Sequence, residues 1–120
     1  MRYLMLIYGV EARRAQMSPA EIKPFLDAWT RFDKDIRASG VVEASNRLRP
    51  TATASTVRTR GGKTSITDGP FAETKEQLGG FYMLDVPSLD EALAWAKRAP
   101  TGEHGSVELR PIWPREEFMT

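Results

Sequence analysis

Residues 68–82 hold charged and polar side chains in an order that could build a site for proton transfer. Asp68 precedes Gly69 and Pro70, a pair that restricts the backbone and can aim the carboxylate into a cleft. A free aspartate has a pKa of about 3.9, so Asp68 would act as a base only where burial raised its pKa. An aspartate before glycine also caps its own turn, and the sequence leaves both interpretations open.

Two other residues could take part in the same chemistry. His104 lies in a predicted loop and could act as a general acid or base at neutral pH. Lys75 could pair with an anionic substrate. For both, a solvated surface position is the alternative, since exposed ion pairs contribute under about 1 kcal/mol.

A second set of candidates is predicted on one face of the last strand. Glu108 and Arg110 alternate onto that face, where Arg110 could hold a carboxylate or a phosphate. Tyr8 and Tyr82 could add hydroxyl groups to this ligand-binding set. The alternatives are a salt bridge between Glu108 and Arg110, and core packing of the two tyrosines with polar tips.

The composition excludes several kinds of site and partner. The chain has 120 residues, no cysteine and one histidine, so disulfides and thiolate catalysis are excluded and neither a metal site nor a cofactor is predicted. The net charge of +1 calls for neither nucleic acid nor a membrane surface. The basic residues between positions 47 and 63 have no interleaved aromatic residues, which also argues against nucleic acid.

The first apolar run, Tyr3–Tyr8, is far shorter than the roughly 20 residues that a membrane span requires. We therefore predict a strand and a cytoplasmic protein. Both parities of the run are apolar, which predicts a central strand covered on both faces.

Helical and strand periodicities place the remaining elements. A capping box at Ser18–Glu21 begins an amphipathic helix that ends near Gly40. Gly79 and Gly80 are followed by no phosphate-loop pattern, so a close approach of strands is predicted there. The other predicted elements are strands at 41–48, 55–60, 63–67, 81–86 and 105–113, and a short helix between Ser88 and Pro100.

This order predicts one α+β domain over residues 1–120, a ferredoxin-like antiparallel sheet with two helices on one face and an inserted hairpin. A bare apolar sheet face above roughly 600 Å² is unusual for a monomer. The apolar first strand therefore predicts a homodimer whose sheets pack face to face.

Four segments of the chain resemble the DGPF group of the YCII-related family. They are residues 1–8, the block 68–82 with Asp68, Gly69, Pro70 and Phe71 at its start and Gly79 and Gly80 near its end, residues 90–96, and residues 105–111. The resemblance covers nearly the whole chain and implies a dimeric α+β barrel.

The same resemblance bears on function. YCII-like proteins are proposed to carry a His/Asp pair with the histidine on the first helix, but here that helix has no histidine, and Trp29 lies roughly at the corresponding place. The pair is therefore not carried over. Some relatives are encoded beside extracytoplasmic-function sigma factors, which implies a sigma factor as an alternative partner.

Three functions follow as hypotheses. The favoured one is a small-molecule-binding protein or cofactor-free enzyme, with a small polar or aromatic ligand near the Asp68 turn. The second is a non-enzymatic accessory or regulatory protein associated with a sigma factor. In the third, Asp68, Gly69 and Pro70 only build a turn at the dimer interface.

Overall fold

A four-stranded antiparallel sheet forms the centre of this computed structural model, which describes residues 1–119. A separate two-stranded hairpin is inserted between its second and third strands in chain order. In chain order the elements are β1 (Arg2–Gly9), α1 (Glu11–Ala15), α2 (Pro19–Ala38), β2 (Val42–Arg47), a 3-10 turn (Thr51–Thr53), β3 (Ser55–Arg60), β4 (Lys63–Asp68), β5 (Gln77–Asp85), α3 (Leu89–Arg98), β6 (Ser106–Pro111) and α4 (Arg115–Phe118).

The strands of the main sheet lie in the order β2-β5-β1-β6, and every neighbouring pair is antiparallel. The central place predicted for β1 is confirmed, since it pairs with β5 on one side and β6 on the other. Among residues 1–119 the sheet stays open and does not close into a barrel. The α+β class with an antiparallel sheet is therefore as predicted.

One face of the sheet carries the core because side chains alternate along each strand. Tyr3 and Met5 of β1 are buried, as are Tyr82 and Leu84 of β5, which lie opposite them in register. Residues of both long helices complete this core; they are Phe32 and Ile36 of α2 and Ala92 of α3.

The other face of the sheet has no helix packed on it within the described chain. Leu4 pairs with Met83 and Leu6 with Phe81, and these four apolar side chains are only half-buried. We call these four residues the open-face patch. Both long helices contribute to the same core, so within the described chain they lie on one face of β1. The predicted cover of its other face by a second copy stays a prediction.

The helix α2 begins as its sequence predicts. The Ser18 hydroxyl accepts a hydrogen bond from the Glu21 amide at 3.2 Å, and the Glu21 carboxylate accepts one from the Ser18 amide at 3.2 Å. Pro19 stands at the first helical position, where its missing N–H costs nothing. Ser39 caps the other end, just before Gly40 with a φ of +83°.

The hairpin β3–β4 turns at Gly61 and Gly62, whose φ values of +56° and +79° are those that a tight two-residue hairpin requires. Its only apolar cross-strand pair is Val57 opposite Ile66, and these side chains are 62% and 75% exposed. The predicted hairpin is confirmed, and it stands apart from the main core.

Strand β5 begins earlier than predicted, at Gln77 rather than at residue 81. Gly79 and Gly80 therefore lie inside the strand. A Cβ atom on Gly80 would approach the Asn46 carbonyl oxygen to 3.0 Å, which confirms the predicted close approach of strands. The short helices α1 and α4 were not predicted, because four or five residues carry too little periodicity to be recognised.

Candidate functional site

A broad cleft lies between α1, α2 and the adjoining ends of β1, β2 and β5. Its volume is about 1420 Å³. The charged, hydroxyl-bearing and aromatic side chains that line it include Tyr8, Glu11, Arg14, Glu21, Phe25, Trp29, Asp33, Arg37, Ser45, Arg47, Tyr82, Glu103 and His104.

A hydrogen-bonded cluster forms one wall of the cleft. The Tyr82 hydroxyl donates to Asp33 Oδ1 at 2.6 Å. Arg37 Nε donates to both carboxylate oxygens of Asp33, at 3.0 and 2.9 Å. Asp33 and Arg37 are four residues apart on α2, so one turn of helix brings them together. Ser45 lies opposite Tyr82 on the neighbouring strand.

The pKa values of the two acidic groups in this cluster, the Tyr82 hydroxyl and the Asp33 carboxyl, shift in opposite directions. Burial raises the pKa of Tyr82 well above its ordinary value, and the hydrogen bond and negative charge of Asp33 raise it further. Burial acts to raise the pKa of Asp33 as well, but the hydrogen bonds from Tyr82 and Arg37 and the charge of Arg37 outweigh it, so this pKa lies below its ordinary value. At neutral pH the cluster is therefore a neutral phenol donating to a carboxylate, and Asp33 is a poor base.

Tyr82→Phe is expected to lower the free energy of unfolding by about 1 kcal/mol at pH 7, because a hydrogen bond to a half-exposed carboxylate is lost. Since the folded state raises the pKa of Tyr82, the tyrosine's contribution is fully present below its unfolded pKa of about 10 and is lost at higher pH. Urea unfolding of the parent protein and of Tyr82→Phe should be measured between neutral pH and pH ~11. The difference between their free energies of unfolding should become smaller above pH ~10.

The matched control is Tyr8→Phe. The Tyr8 hydroxyl makes no hydrogen bond to any residue in 1–119, so its removal should change stability little at any pH. A difference between Tyr82→Phe and the parent protein that stayed constant across this pH range would contradict the assigned hydrogen bond.

The short helix α1 is fixed against the rest of the cleft by Glu11. Its carboxylate accepts from the Thr51 amide at 2.9 Å and from the Thr51 hydroxyl at 2.8 Å. The backbone amide of Glu11 donates to the Gln77 side-chain oxygen at 2.9 Å. One turn later Arg14 places its guanidinium 5.3 Å from the centre of the Phe25 ring. A charge near an aromatic face is weakly attracted to it, so this contact helps to hold Arg14 in the cleft.

Of the predicted site residues, Tyr8, Tyr82 and His104 line this cleft, together with Gly79 and Gly80 of the predicted motif. The His104 side chain is exposed on the loop before β6. This loop lies close to β1, since a Cβ atom on Gly105 would come within 2.8 Å of the Tyr8 carbonyl oxygen. The structure does not bring His104 and Asp68 to one place, because Asp68 does not line the cleft.

Asp68 lies at the end of β4, at the base of the hairpin. Gly69, with a φ of +107°, donates its amide to the Ala54 carbonyl at 2.7 Å, and its own carbonyl accepts from the Thr56 hydroxyl at 2.7 Å. Arg58 donates to the Phe71 carbonyl from the same hairpin. The Asp-Gly-Pro-Phe turn thus closes the hairpin base through backbone groups. The exposed Asp68 carboxylate takes no part and has no partner within residues 1–119.

The second predicted set is divided between the two faces of the sheet. Glu108 lies opposite Leu6 and Arg110 opposite Leu4, so both belong to the uncovered face. No salt bridge joins them within residues 1–119. Tyr82 was predicted on this face and lies on the helix face instead, because it pairs with the buried Met5. Tyr82 packs in the core and keeps its hydroxyl group in a hydrogen bond, which agrees with the core-packing alternative given by the sequence.

Lys75, the last of the predicted ligand-binding residues, lies on the surface. Lys75 is exposed and forms no ion pair with any residue in 1–119. The described chain contains no cluster of residues suited to hold a metal ion. None of its helices combines the length and apolar character needed to cross a bilayer.

Sequence reasoning did not single out Asp33, Arg37, Arg14 or Arg47. For Asp33 a signal exists in the sequence, since it lies four residues after Trp29 and directly follows Phe32, beside the apolar stripe of α2. A charge at the border of an apolar stripe is often held by a polar partner from the sheet. Arg14 carries no such signal, since α1 was not recognised as a helix. Arg47 was considered only as one of the basic residues between positions 47 and 63.

Residues 1–116 match the sequence model of the YCII-related domain. The chain belongs to the YCII-related family. An uncharacterised protein of Rhizobium meliloti (strain 1021) is 39% identical over 114 residues, which cover 93% of this chain and 92% of that protein. This confirms the family predicted from the opening strand and the Asp68–Tyr82 block.

Proposed function

We propose that this YCII-related protein binds a small polar or aromatic molecule in the cleft beside α2. The observation that carries the proposal is the joint presence of Trp29 and the Tyr82–Asp33–Arg37 cluster on the cleft wall. Small-molecule sites typically combine apolar walls with a few polar groups fixed in place. Here Phe32, which contacts both Trp29 and Tyr82 edge to face, holds the two parts of the wall together.

The proposal includes a homodimer with the ferredoxin-like sheets face to face, as a dimeric α+β barrel. A compact chain of this length has a radius of gyration of about 14 Å, whereas this one has 16.8 Å and measures 47 × 47 × 19 Å. The flat shape supports a partner on the open-face patch.

Charges around the open-face patch support a second copy of this chain as that partner. Glu108 and Arg110 lie on the patch side of β6 and do not pair with one another. Across a two-fold axis the same surface meets itself, so Glu108 of each copy can meet Arg110 of the other. In this arrangement Arg110 serves the interface rather than a ligand.

The Asp68 turn enters the proposal as a part of the dimer interface. Its carboxylate lacks a partner, and the apolar Val57 and Ile66 of the same hairpin are exposed. These features support contact with a second copy better than proton transfer. Binding of a small molecule needs no turnover, no cofactor and no cytoplasmic location. The competing hypothesis is that the protein is a regulatory protein whose partner is a sigma factor.

The test of ligand binding uses two tryptophan variants. A mixed library of small aromatic and polar metabolites is screened by ligand-observed NMR against the parent protein, and the hits are titrated into Trp29→Leu and Trp113→Leu. Trp29→Leu should weaken binding about tenfold, because the aromatic contact in the cleft is lost. Trp113 lies outside the cleft and is 68% exposed, so its variant should bind as the parent does.

A screen without hits, or hits that both variants bind equally well, would remove the cleft as the ligand site. If the protein instead co-purifies at endogenous level with a sigma factor, and the screen is empty, the regulatory hypothesis takes its place.

A further inference from the structure

Two arginines in the cleft have no carboxylate partner. Arg14 of α1 and Arg47 at the end of β2 both line the cleft, and neither forms an ion pair with any residue in 1–119. The Nε atom of Arg14 is buried and has no hydrogen-bond partner. A buried donor left without an acceptor is costly, which makes such an atom a marker of a missing partner.

The acidic residues of the cleft do not supply this partner. Both carboxylate oxygens of Glu11 accept hydrogen bonds from Thr51, and the Glu21 carboxylate is engaged by the Ser18 amide. Asp33 is bound by Arg37 and Tyr82. The fourth acid, Glu103, is exposed on the loop before β6 and forms no ion pair among the described residues.

The sheet sets the position of Arg47 relative to the hydrogen-bonded cluster. Between β2 and β5, Arg47 pairs with Gly80 and Ser45 pairs with Tyr82. Because side chains alternate along a strand, Arg47 and Ser45 lie on the same face of the sheet. Two residues along a strand span about 7 Å. The Cα atoms of Arg47 and Ser45 are therefore about 7 Å apart, and both residues line the cleft.

We propose that Arg14 and Arg47 bind the anionic head, a carboxylate or a phosphate, of a ring-bearing ligand whose polar far end reaches Ser45 and Tyr82. This inference rests on the proposed small-molecule function and names its ligand class. Guanidinium groups bind both anions through paired N–H donors. An anion between the two arginines also removes their mutual repulsion. That repulsion, after burial, is the second cause that lowers the pKa of Arg14.

The test compares ligands of one shape and different charge. The probes are 4-hydroxybenzoate, its neutral analogue 4-hydroxybenzamide, and 4-hydroxyphenyl phosphate, each titrated into the full-length protein at low salt. Binding is followed by NMR, including the Nε–H resonance of Arg14. The anionic probes should bind about tenfold to hundredfold more tightly than the amide and should shift that resonance, and added salt should reduce the advantage.

Three variants locate the anion. Arg14→Gln and Arg47→Gln should each reduce the affinity for 4-hydroxybenzoate to about that for the amide, with the amide affinity unchanged. Arg31→Gln removes the same charge from an exposed place on α2 outside the cleft lining and should change neither. Thermal unfolding followed by circular dichroism shows whether each variant is folded. Since the two cleft arginines lie on different elements, one folded variant is enough for the test.

The outcomes separate the two proposals. Equal binding of the acid and the amide, sensitive to Trp29→Leu, would overturn the anion inference and leave the binding function standing. An advantage of the anions that Arg31→Gln abolishes as strongly as Arg14→Gln would also overturn it, because general attraction to a positive surface would then explain the data. An advantage for 4-hydroxyphenyl phosphate alone identifies the head as a phosphate, and an advantage for 4-hydroxybenzoate alone identifies it as a carboxylate.

Discussion

Leu6→Glu is expected to convert the proposed dimer into monomers. Leu6 lies in the middle of the open-face patch, between Phe81 of β5 and Glu108 of β6. In a two-fold dimer the change places two new carboxylates in one apolar interface, beside the existing Glu108. Each buried, unpaired charge costs several kcal/mol, so the dissociation constant should rise at least about a thousandfold.

Sedimentation velocity at micromolar concentration measures this result directly. The matched control is Leu89→Glu, which introduces the same charge at a half-exposed leucine of α3, on the opposite side of the molecule from the patch. Leu89→Glu should remain dimeric, and both variants should keep the far-ultraviolet circular dichroism of the parent. A parent protein that sediments as a monomer, or a Leu6→Glu variant that stays dimeric, contradicts the proposed interface.

Phe32→Ala is expected to cost about 3–5 kcal/mol of unfolding free energy, a large part of the roughly 5–15 kcal/mol that a domain possesses. Phe32 is 5% exposed and contacts three aromatic rings edge to face, those of Trp29, Tyr82 and Trp95. Its removal leaves a cavity between the two long helices and the sheet. It also removes the support of Tyr82, so the hydrogen bond to Asp33 should weaken.

Urea unfolding and spectrophotometric titration of the tyrosines measure the two effects. Phe32→Leu is the matched control, since it keeps an apolar side chain of similar size and should cost less than half as much. In Phe32→Ala, ionisation of the most resistant tyrosine should begin at lower pH than in the parent protein. Equal stability of the Ala and Leu variants would mean that the site collapses without a cavity, against the packing described here.

The fold could be predicted from the sequence where local chemistry decides it. The capping box at Ser18, the Gly61-Gly62 turn and the apolar run of β1 each determine an element through contacts between near neighbours. The uncovered sheet face also follows from the number and length of the helices. The cover of the second face of β1 stays a prediction, because no pattern in a strand says which molecule supplies it.

The candidate site was less predictable, since its parts are distant in the sequence. Tyr82 and Asp33 are 49 residues apart. Arg14 and Arg47 line one cleft, and the hydrogen bonds between Glu11 and Thr51 fix α1 to the turn after β2. Sequence reasoning favoured the Asp-Gly-Pro-Phe turn for its unusual residue types. In the described chain those types build the base of a hairpin through backbone hydrogen bonds, and the side-chain cluster lies elsewhere.

The separate hairpin has a consequence for how the molecule opens. A two-stranded hairpin by itself is marginally stable in water, and the Val57–Ile66 pair contributes little while it is exposed. The amides of β3 and β4 should therefore exchange with deuterium through frequent local opening, while those of β1 and β5 exchange only when the whole chain unfolds. Any partner that covers the hairpin will slow deuterium exchange of the β3 and β4 amides before it slows exchange elsewhere. The exchange rates of these amides therefore measure association.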